Sequence, residues 1–197
     1  MPLAQQVQQT VSLFATDNNG VVIQLPAIGA AGAASTAGSL VFGIDTQSNN
    51  MLGSATVLGL DSLGNFITHF NGVTLNQSFI DSGSNGYFFD QSGNSALVNC
   101  TNATGFYCPS TTQNFSAQNQ SASGMGATST VQFSVGNAES LFNNNPSFTA
   151  FNDIGGSQPA GFTQSFDWGM PFFFGRNVFV AIENATTSGG VGPYYAY

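Results

Sequence analysis

The amino-acid sequence predicts an all-β protein. Short apolar runs rich in Val, Ile and Phe recur along the chain, separated by clusters of Asn, Gly, Ser and Asp. Such runs, bounded by turn-forming residues, are typical of β-strands. Very few segments have the apolar spacing of an amphipathic helix. Asn-Gly pairs at residues 19–20 and 71–72 lie between apolar runs and favour hairpin turns. We therefore expect a mixed, mainly antiparallel β-domain.

The strands follow from the chain in order. The run VSLFAT, the turn DNNG and the run VVIQLP predict a hairpin around Asn19 and Gly20. The run NFITHF, the pair Asn71-Gly72 and the run VTLNQSFI predict a second and clearer hairpin. The runs STVQFSV and NVFVAIE alternate as half-buried strands do. The predicted strands cover residues 11–16, 21–25, 39–44, 54–59, 65–70, 73–80, 130–135 and 177–183.

The remaining segments predict one short helix and several loops. In NAESLF, residues 137–142, Asn137 is a predicted N-cap and an acid lies in the first turn. The sequence shows no repeat and no domain boundary, so we expect one domain over residues 1–197. Its Gly- and Tyr-rich end, about residues 185–197, is expected to form an arm. Loops are predicted over residues 27–38, 109–127 and 143–160.

The composition argues against partners that carry many negative charges, such as nucleic acids and anionic membranes. Only 5% of the residues are charged, whereas an average soluble domain has roughly 25%. A single basic residue, Arg176, accompanies nine acids, and the net charge is -8. Because this chain cannot neutralise phosphates, we expect no nucleic-acid partner and no anionic membrane surface.

The most apolar run, residues 170–182, is interrupted and too short for a membrane span.

Two cysteines, Cys100 and Cys108, lie close together in the segment CTNATGFYC. In an oxidising compartment they would close a short disulfide loop. The alternatives are two buried free thiols or a metal site, but a metal needs more ligands than these and the distant His69. We expect the disulfide, no metal and no cofactor. A surface rich in Asn, Gln, Ser and Thr is common in proteins that work outside the cell.

One carboxylate lies at an unusual position in this weakly charged chain. Asp81 directly follows the apolar pair Phe79-Ile80 and precedes SGSNG, after which the apolar run YFF begins. Asp81 could simply shape a tight turn, because Asp, Ser and Gly dominate turns. Alternatively, it could be a functional carboxylate at the tip of a loop that leaves the core, bonded by nearby backbone amides.

The order of the segments resembles the carboxyl-terminal lobe of pepsin-like aspartic proteases. FGIDTQSNNMLG resembles a turn and polar loop of that lobe, and the hairpin NFITHFNGVTL follows as it does there. FIDSGSNGYFF resembles the active-site loop, in which two apolar residues precede Asp-Ser/Thr-Gly-Ser/Thr. DWGMPFFFGRNVFVAIE resembles the segment that crosses behind this loop. The resemblance covers about residues 7–184 and implies a single β-barrel lobe of the acid-protease type with one or two short helices.

The chain is also similar to a family of uncharacterised exported bacterial proteins that carry a domain of unknown function. This similarity depends on the segments ATDNNGV, FIDSGSNG, GFYCP, FDWG, PFFFGR and GPYYAY. It implies a secreted, cell-surface or periplasmic protein, usually with an amino-terminal lobe first. The start MPLAQQVQQT lacks the features of a signal peptide. We therefore expect a mature form or a fragment of a longer protein.

The pepsin-like resemblance implies a role for each residue of the loop. Asp81 would be a catalytic carboxylate and Ser84 would bond its outer oxygen. Gly83 would offer its backbone amide, and Ser82 would reach toward a partner lobe.

The resemblance also implies roles beyond the loop. Gly169 would be the glycine of the crossing segment. Trp168 stands where an aliphatic residue is usual, and this difference, together with the long polar loops, leaves the substrate cleft undefined.

Peptide hydrolysis of this kind needs two carboxyl groups. One is ionised and activates water, and the other is protonated and polarises the substrate carbonyl. The sequence has no second Asp-Ser/Thr-Gly, because Asp45, Asp61 and Asp153 each lack part of that motif. The second carboxyl group is therefore expected from a second copy of the chain or from an amino-terminal lobe.

Two functions follow as hypotheses. The first is one lobe of an exported aspartic-protease-like protein that hydrolyses peptides when a second lobe is supplied, so that the chain alone is inactive. The second is a non-catalytic, self-assembling or surface-attached subunit with the same fold. Low charge, β-rich edges and the tyrosine tail fit an interaction protein at least as well as an enzyme.

Overall fold

The computed structural model describes residues 9–91 and 93–197. Residues 1–8, the start of the predicted domain, and residue 92 lie outside the described residues. The described chain is mainly β, as predicted. It contains one α-helix, α1 (Ala138–Asn144), two short 3-10 helices and fourteen strands. The strands are β1 (Gly20–Gln24), β2 (Ser39–Phe42), β3 (Val57–Gly59), β4 (Phe66–Phe70), β5 (Val73–Ile80), β6 (Tyr87–Phe88), β7 (Gln113–Gln120), β8 (Thr128–Val135), β9 (Gly155–Gly156), β10 (Asp167–Trp168), β11 (Asn177–Ala181), β12 (Thr186–Thr187), β13 (Gly190–Val191) and β14 (Tyr194–Ala196).

The larger sheet has seven strands in the order β8-β7-β4-β5-β10-β6-β9 and is nearly closed into a barrel. Its neighbours are antiparallel except at the β5–β10 and β6–β9 pairs, which are parallel. The predicted hairpin joins β4 to β5. Asn71 and Gly72 both have positive φ, 48° and 78°, as the predicted Asn-Gly turn requires.

The second sheet has five antiparallel strands in the order β2-β1-β11-β14-β3. The predicted arm over residues 185–197 is wrong, because this segment ends in β14 in the interior of the sheet. Tyr194 and Ala196 are buried, and Tyr195 lies between them on the other face. The small hairpin β12–β13 turns the chain back so that β14 can pair with β11 and β3.

Two further sequence predictions are corrected. The predicted strand 11–16 is absent, because Thr10–Leu13 form a 3-10 helix capped by the Gln9 side chain. The first hairpin is therefore also absent, and β1 pairs with β2 and β11 instead. The predicted loop 109–127 contains β7, whose inward positions include Ala117 and Asn119. Along β7, exposed and less exposed side chains alternate, as in a half-buried strand. This alternation is hard to see in the sequence because most of the residues are polar.

The helix and the disulfide agree with the predictions. The side chain of Asn137 accepts a hydrogen bond of 2.9 Å from the backbone N–H of Ser140 and caps α1. Cys100 and Cys108 are joined by a disulfide. Both pack against the small apolar cluster that α1 covers. The described residues contain no helix long and apolar enough to cross a membrane.

The main core is aromatic and lies beneath the loop that contains Asp81. Trp168 is fully buried and stacks on Phe166 with 4.1 Å between ring centroids. Phe89 stacks on the other side of this group, 4.7 Å from Phe166. Aromatic pairs of this kind contribute about 0.5–1.5 kcal/mol beyond their buried area. The loop therefore rests on a closely packed base.

Candidate functional site

Asp81 lies in the loop of residues 81–86, which connects β5 to β6. These two strands do not pair with each other. Strand β10 lies between them, parallel to β5 and antiparallel to β6. The loop must therefore pass over the end of β10, and the chain that leaves β10 must pass beneath the loop.

The two segments are in close contact at Gly169. The backbone N–H of Asp81 donates to the carbonyl oxygen of Trp168 at 3.1 Å. A Cβ atom at position 169 would lie 2.1 Å from the carbonyl oxygen of Gly86 and 2.7 Å from that of Ser84. These distances are shorter than non-bonded carbon–oxygen contacts allow, so the crossing requires glycine. Glycine at position 169 thus allows the two segments to cross in direct contact.

Two groups of the loop hold the Asp81 carboxylate. The backbone N–H of Gly83 donates to Asp81 Oδ1 at 2.7 Å, and Ser84 Oγ lies 3.0 Å from Asp81 Oδ2. Asp81 is half-buried, whereas Ser82 is exposed beside it. The structure therefore brings Asp81, Gly83 and Ser84 together and leaves Ser82 on the surface of the loop.

A second carboxyl group, Asp167, lies in the same site and was missed by the sequence analysis. Asp167 belongs to β10, where it pairs with Phe79 of β5 and Phe88 of β6. Successive side chains of a strand point to opposite faces, so Trp168 enters the core and Asp167 faces the loop. Its Oδ2 atom lies 2.6 Å from Ser84 Oγ. In the sequence, the feature that could have indicated this site is the position of Asp167 between two aromatic residues, Phe166 and Trp168, in the segment SFDWG.

Asp167 is strongly desolvated. Only 6% of the residue is exposed, and its Oδ1 atom has no hydrogen-bond partner among the described residues. Burial is the largest cause that raises the pKa of Asp167 to about 6, and the negative charge of Asp81 acts in the same direction. A hydrogen bond donated by the Ser84 hydroxyl to Asp167 would lower this pKa. The site therefore contains two carboxyl groups with different surroundings.

An apolar pocket of about 370 Å³ opens beside the two carboxyl groups. Its walls are mostly carbon and carry a few polar side chains, as is typical of small-molecule sites. Asp81, Ser84 and Asp167 are among these polar residues. The other lining residues are Phe79, Phe88, Gly105, Ser157, Gln158, Pro159 and Phe162.

The other titratable groups that the sequence suggested do not join this site. The ring nitrogens of His69 contact Thr74 Oγ1 at 3.1 Å and Gln120 Oε1 at 3.2 Å. Arg176 donates to the carbonyl oxygen of Phe172 at 2.6 Å. Both side chains are thus engaged in local contacts.

Cys100, Cys108 and Glu139 offer ligand atoms within 4.8 Å of one another. The sulfurs are joined to each other, so they offer no thiolates to a metal. The Glu139 carboxylate instead accepts hydrogen bonds from the backbone N–H groups of Asn102 and Ala103. This cluster stabilises the disulfide loop against α1.

The sequence family described as "Protein of unknown function (DUF3443)" matches residues 1–197, which is the whole chain. The chain belongs to this family. A comparison with curated proteins finds no match. In this DUF3443 chain, Asp81 and Asp167 are joined through Ser84 beside an apolar pocket.

Proposed function

We propose that this chain is one lobe of an exported aspartic-protease-type hydrolase, in which Asp81 activates water for peptide-bond cleavage once a second lobe supplies a facing carboxyl group. The observation that supports this most is the Asp81 carboxylate, fixed by the Gly83 amide and the Ser84 hydroxyl at the mouth of an apolar pocket. The pepsin-like order of segments agrees with it. The chain alone is expected to be inactive.

This mechanism requires Asp81 and a carboxyl group of the facing lobe to reach the substrate together. The ionised Asp81 takes a proton from water, the resulting hydroxide adds to the peptide carbonyl, and a protonated carboxyl group opposite donates to the carbonyl oxygen. When the intermediate collapses, Asp81 passes the proton that it took from water to the leaving amine, and the facing carboxylate takes a proton back from a hydroxyl of the intermediate. Asp167 does not serve as the facing acid: it is only 6% exposed and is held against the same Ser84 hydroxyl as Asp81, within this lobe. The second acid must come from a facing lobe.

Two partners can supply that lobe: a second copy of this chain, or an amino-terminal lobe with its own Asp-Ser/Thr-Gly. In this proposal, the exposed Ser82 next to Asp81 would reach toward the partner lobe. The disulfide favours an oxidising compartment, which agrees with export from a bacterial cytoplasm to the periplasm, the cell surface or the medium.

The test is peptide-library cleavage at about pH 3–6, read by mass spectrometry. The chain is assayed over a wide concentration range and as a covalent tandem of two copies. It is also assayed together with an Asp-Ser/Thr-Gly lobe from a longer family member. We expect no turnover from the monomer and turnover from at least one two-lobed form. Asp81→Asn should then reduce the rate by at least about 10²-fold. Glu183→Gln, an exposed acid outside the site, is the matched control.

Two outcomes would contradict the proposal. Turnover by the monomer, independent of concentration, would show that no second lobe is needed. Absence of turnover from every two-lobed form would exclude the hydrolase and leave the second candidate.

The second candidate is a non-catalytic subunit that assembles with copies of itself through β2. This strand is an edge of the five-stranded sheet, and its Leu40 and Phe42 side chains are 56% and 41% exposed. Phe14 packs edge-on against Phe42, 5.1 Å between ring centroids, and extends the apolar surface. Exposed apolar edge strands pair readily with other strands.

Sedimentation velocity tests this candidate. The chain should form assemblies that Leu40→Lys and Phe42→Lys dissociate, because a buried charge at the strand edge prevents pairing. Leu63→Lys, at a turn position where the side chain is 83% exposed, is the control and should leave the assemblies intact. A chain that stays monomeric at high concentration would exclude this candidate.

A further inference from the structure

A single hydroxyl group contacts both acids of the site. Ser84 Oγ lies 3.0 Å from Asp81 Oδ2 and 2.6 Å from Asp167 Oδ2. A serine hydroxyl carries one hydrogen, and an ionised carboxylate carries none. If both acids were ionised, only one of the two contacts could be a hydrogen bond. Both contacts are hydrogen bonds only when one carboxyl group is protonated.

The surroundings of the two acids identify which one holds the proton. Asp81 Oδ1 accepts the Gly83 N–H, and Asp81 is half-buried, so its charge is solvated. Asp167 is almost fully buried, and its Oδ1 atom has no hydrogen-bond partner in the described chain. A buried, unpaired oxygen costs far more in a carboxylate than in a neutral acid. Asp167 is therefore the group for which the neutral form is favoured.

The neighbours of Asp167 on the adjoining strands and loop provide no positive charge. Phe79 on β5, Phe88 on β6 and Gln158 in the pocket wall are uncharged. Asp81 is the charged side chain whose field acts on Asp167, and it disfavours a second negative charge. Arg176, the single basic residue of the chain, is bound to a carbonyl oxygen on the 3-10 helix that follows β10.

We propose that Asp167 holds a proton and donates it to Ser84 Oγ, while the Ser84 hydrogen is donated to Asp81 Oδ2, so that two hydrogen bonds within one lobe join the two carboxyl groups. Asp167 is thus a positioning residue that acts through Ser84. No covalent bond other than the O–H of Asp167 is involved, and its proton passes to solvent when Asp167 ionises.

Ionisation of Asp167 changes the chain of hydrogen bonds. The ionised acid competes with Asp81 for the single Ser84 hydrogen and places a second negative charge behind Asp81. In the hydrolase proposed above, activity would therefore decline as the pH rises through about 6. That consequence rests on the proposed function, whereas the position of the proton does not.

Carboxyl ¹³C NMR of the labelled 197-residue chain, titrated from about pH 3 to about pH 8, tests the proposal without any assay of activity. At about pH 5, the Asp167 carboxyl should carry a proton. Ser84→Ala removes the acceptor of the Asp167 proton and should lower the Asp167 midpoint by about 0.5–1 pH unit. Ser84→Thr should restore the midpoint, since it keeps the hydroxyl.

The control is Asp153→Asn, because Asp153 is another buried acid whose pKa is raised by burial. It should leave the Asp167 midpoint unchanged. Amide spectra confirm that each variant is folded. A proton found on Asp81 instead, or a midpoint that rises in Ser84→Ala, would overturn the proposal, since a rise means that Ser84 stabilises the ionised Asp167. If the NMR titration places the proton on Asp167 but every two-lobed form is inactive, the proposed hydrolase function is rejected and the inferred proton position stands.

Discussion

The backbone N–H of Asp81 donates a hydrogen bond of 3.1 Å to the carbonyl oxygen of Trp168. Because of this bond, the position of the Asp81 carboxylate depends on a segment that is distant in sequence. The backbone N–H of Met170 completes the connection by donating to the carbonyl oxygen of Ser84 at 2.6 Å. The loop and the end of β10 thus form one unit, and the following predictions concern the residues that hold it in place.

Gly169→Ala should destabilise the protein by about 2–3 kcal/mol or more, because its Cβ would overlap two backbone carbonyl oxygens that cannot move independently. Urea unfolding, followed by fluorescence of the single tryptophan, measures the effect. Gly29→Ala is the matched control, since a Cβ there meets nothing within 4 Å and φ is not positive. Equal stability of the two variants would show that the loop does not lie against Gly169.

The stability of the protein should decrease as the pH rises from about 4 to about 6. Burial raises the pKa of Asp167 to about 6, so in this window the folded chain binds more protons than the unfolded chain. The free energy of unfolding should therefore be greatest below the window and lower by on the order of 2–3 kcal/mol above it. Urea unfolding at several pH values measures this slope.

The Asp167→Asn variant should lose most of this slope, and Glu183→Gln should keep it. Asp153, whose pKa is also raised by burial, should account for part of what remains. A wild-type stability that increases between pH 4 and pH 6 would contradict a buried, neutral Asp167.

Thr68→Val should destabilise the core by about 2–4 kcal/mol despite its nearly equal volume. The buried Thr68 hydroxyl accepts the indole N–H of Trp168 at 3.1 Å and donates to Asn119 Oδ1 at 2.8 Å. Valine leaves both groups buried without these partners, and each such loss costs about 1–3 kcal/mol.

The measurement for this variant is again urea unfolding with tryptophan fluorescence. Thr74→Val, an exposed threonine on the neighbouring strand, is the control and should change stability by less than about 0.5 kcal/mol. The indole is inaccessible in the wild-type chain, so a soluble quencher should have little effect on its emission before unfolding. If Thr68→Val and Thr74→Val had the same free energy of unfolding, the hydrogen bond between the Trp168 indole and Thr68 would make no net contribution to stability.

Reduction of the Cys100–Cys108 disulfide should lower the free energy of unfolding by about 2–3 kcal/mol, because the closed loop is short. Thermal unfolding with and without reductant measures this change. Intact mass after alkylation should show no modified cysteine in the untreated, denatured chain and two after reduction. A Cys100→Ala, Cys108→Ala variant should be insensitive to reductant, and immediate labelling of both thiols in untreated protein would contradict the bond.

Features that depend on near neighbours in the chain were predictable from the sequence. The Asn71-Gly72 turn, the Asn137 cap and the disulfide each join residues that are close together in sequence. The Asp81 carboxylate also belongs to this group, because its partners Gly83 and Ser84 are two and three residues away. Local geometry alone is sufficient to create these contacts.

The sequence analysis was wrong where tertiary contacts override local composition. Strand β7 contains mostly polar residues, yet Asn119 is buried because Thr68 and Tyr197 satisfy its side chain. The Gly- and Tyr-rich end was predicted to form an arm, but β14 lies in a sheet between β11 and β3. Neither partner is visible from the segment itself.

The sequence by itself determined the β class, the clearest hairpin, the disulfide and the loop that holds Asp81. Only the tertiary structure decided that a second acid lies in the same site. Ser84 and Asp167 are 83 residues apart in the chain, and they meet because β10 is inserted between β5 and β6. That insertion depends on the packing of Trp168 into the aromatic core, which turns Asp167 to the opposite face of the strand, toward Ser84.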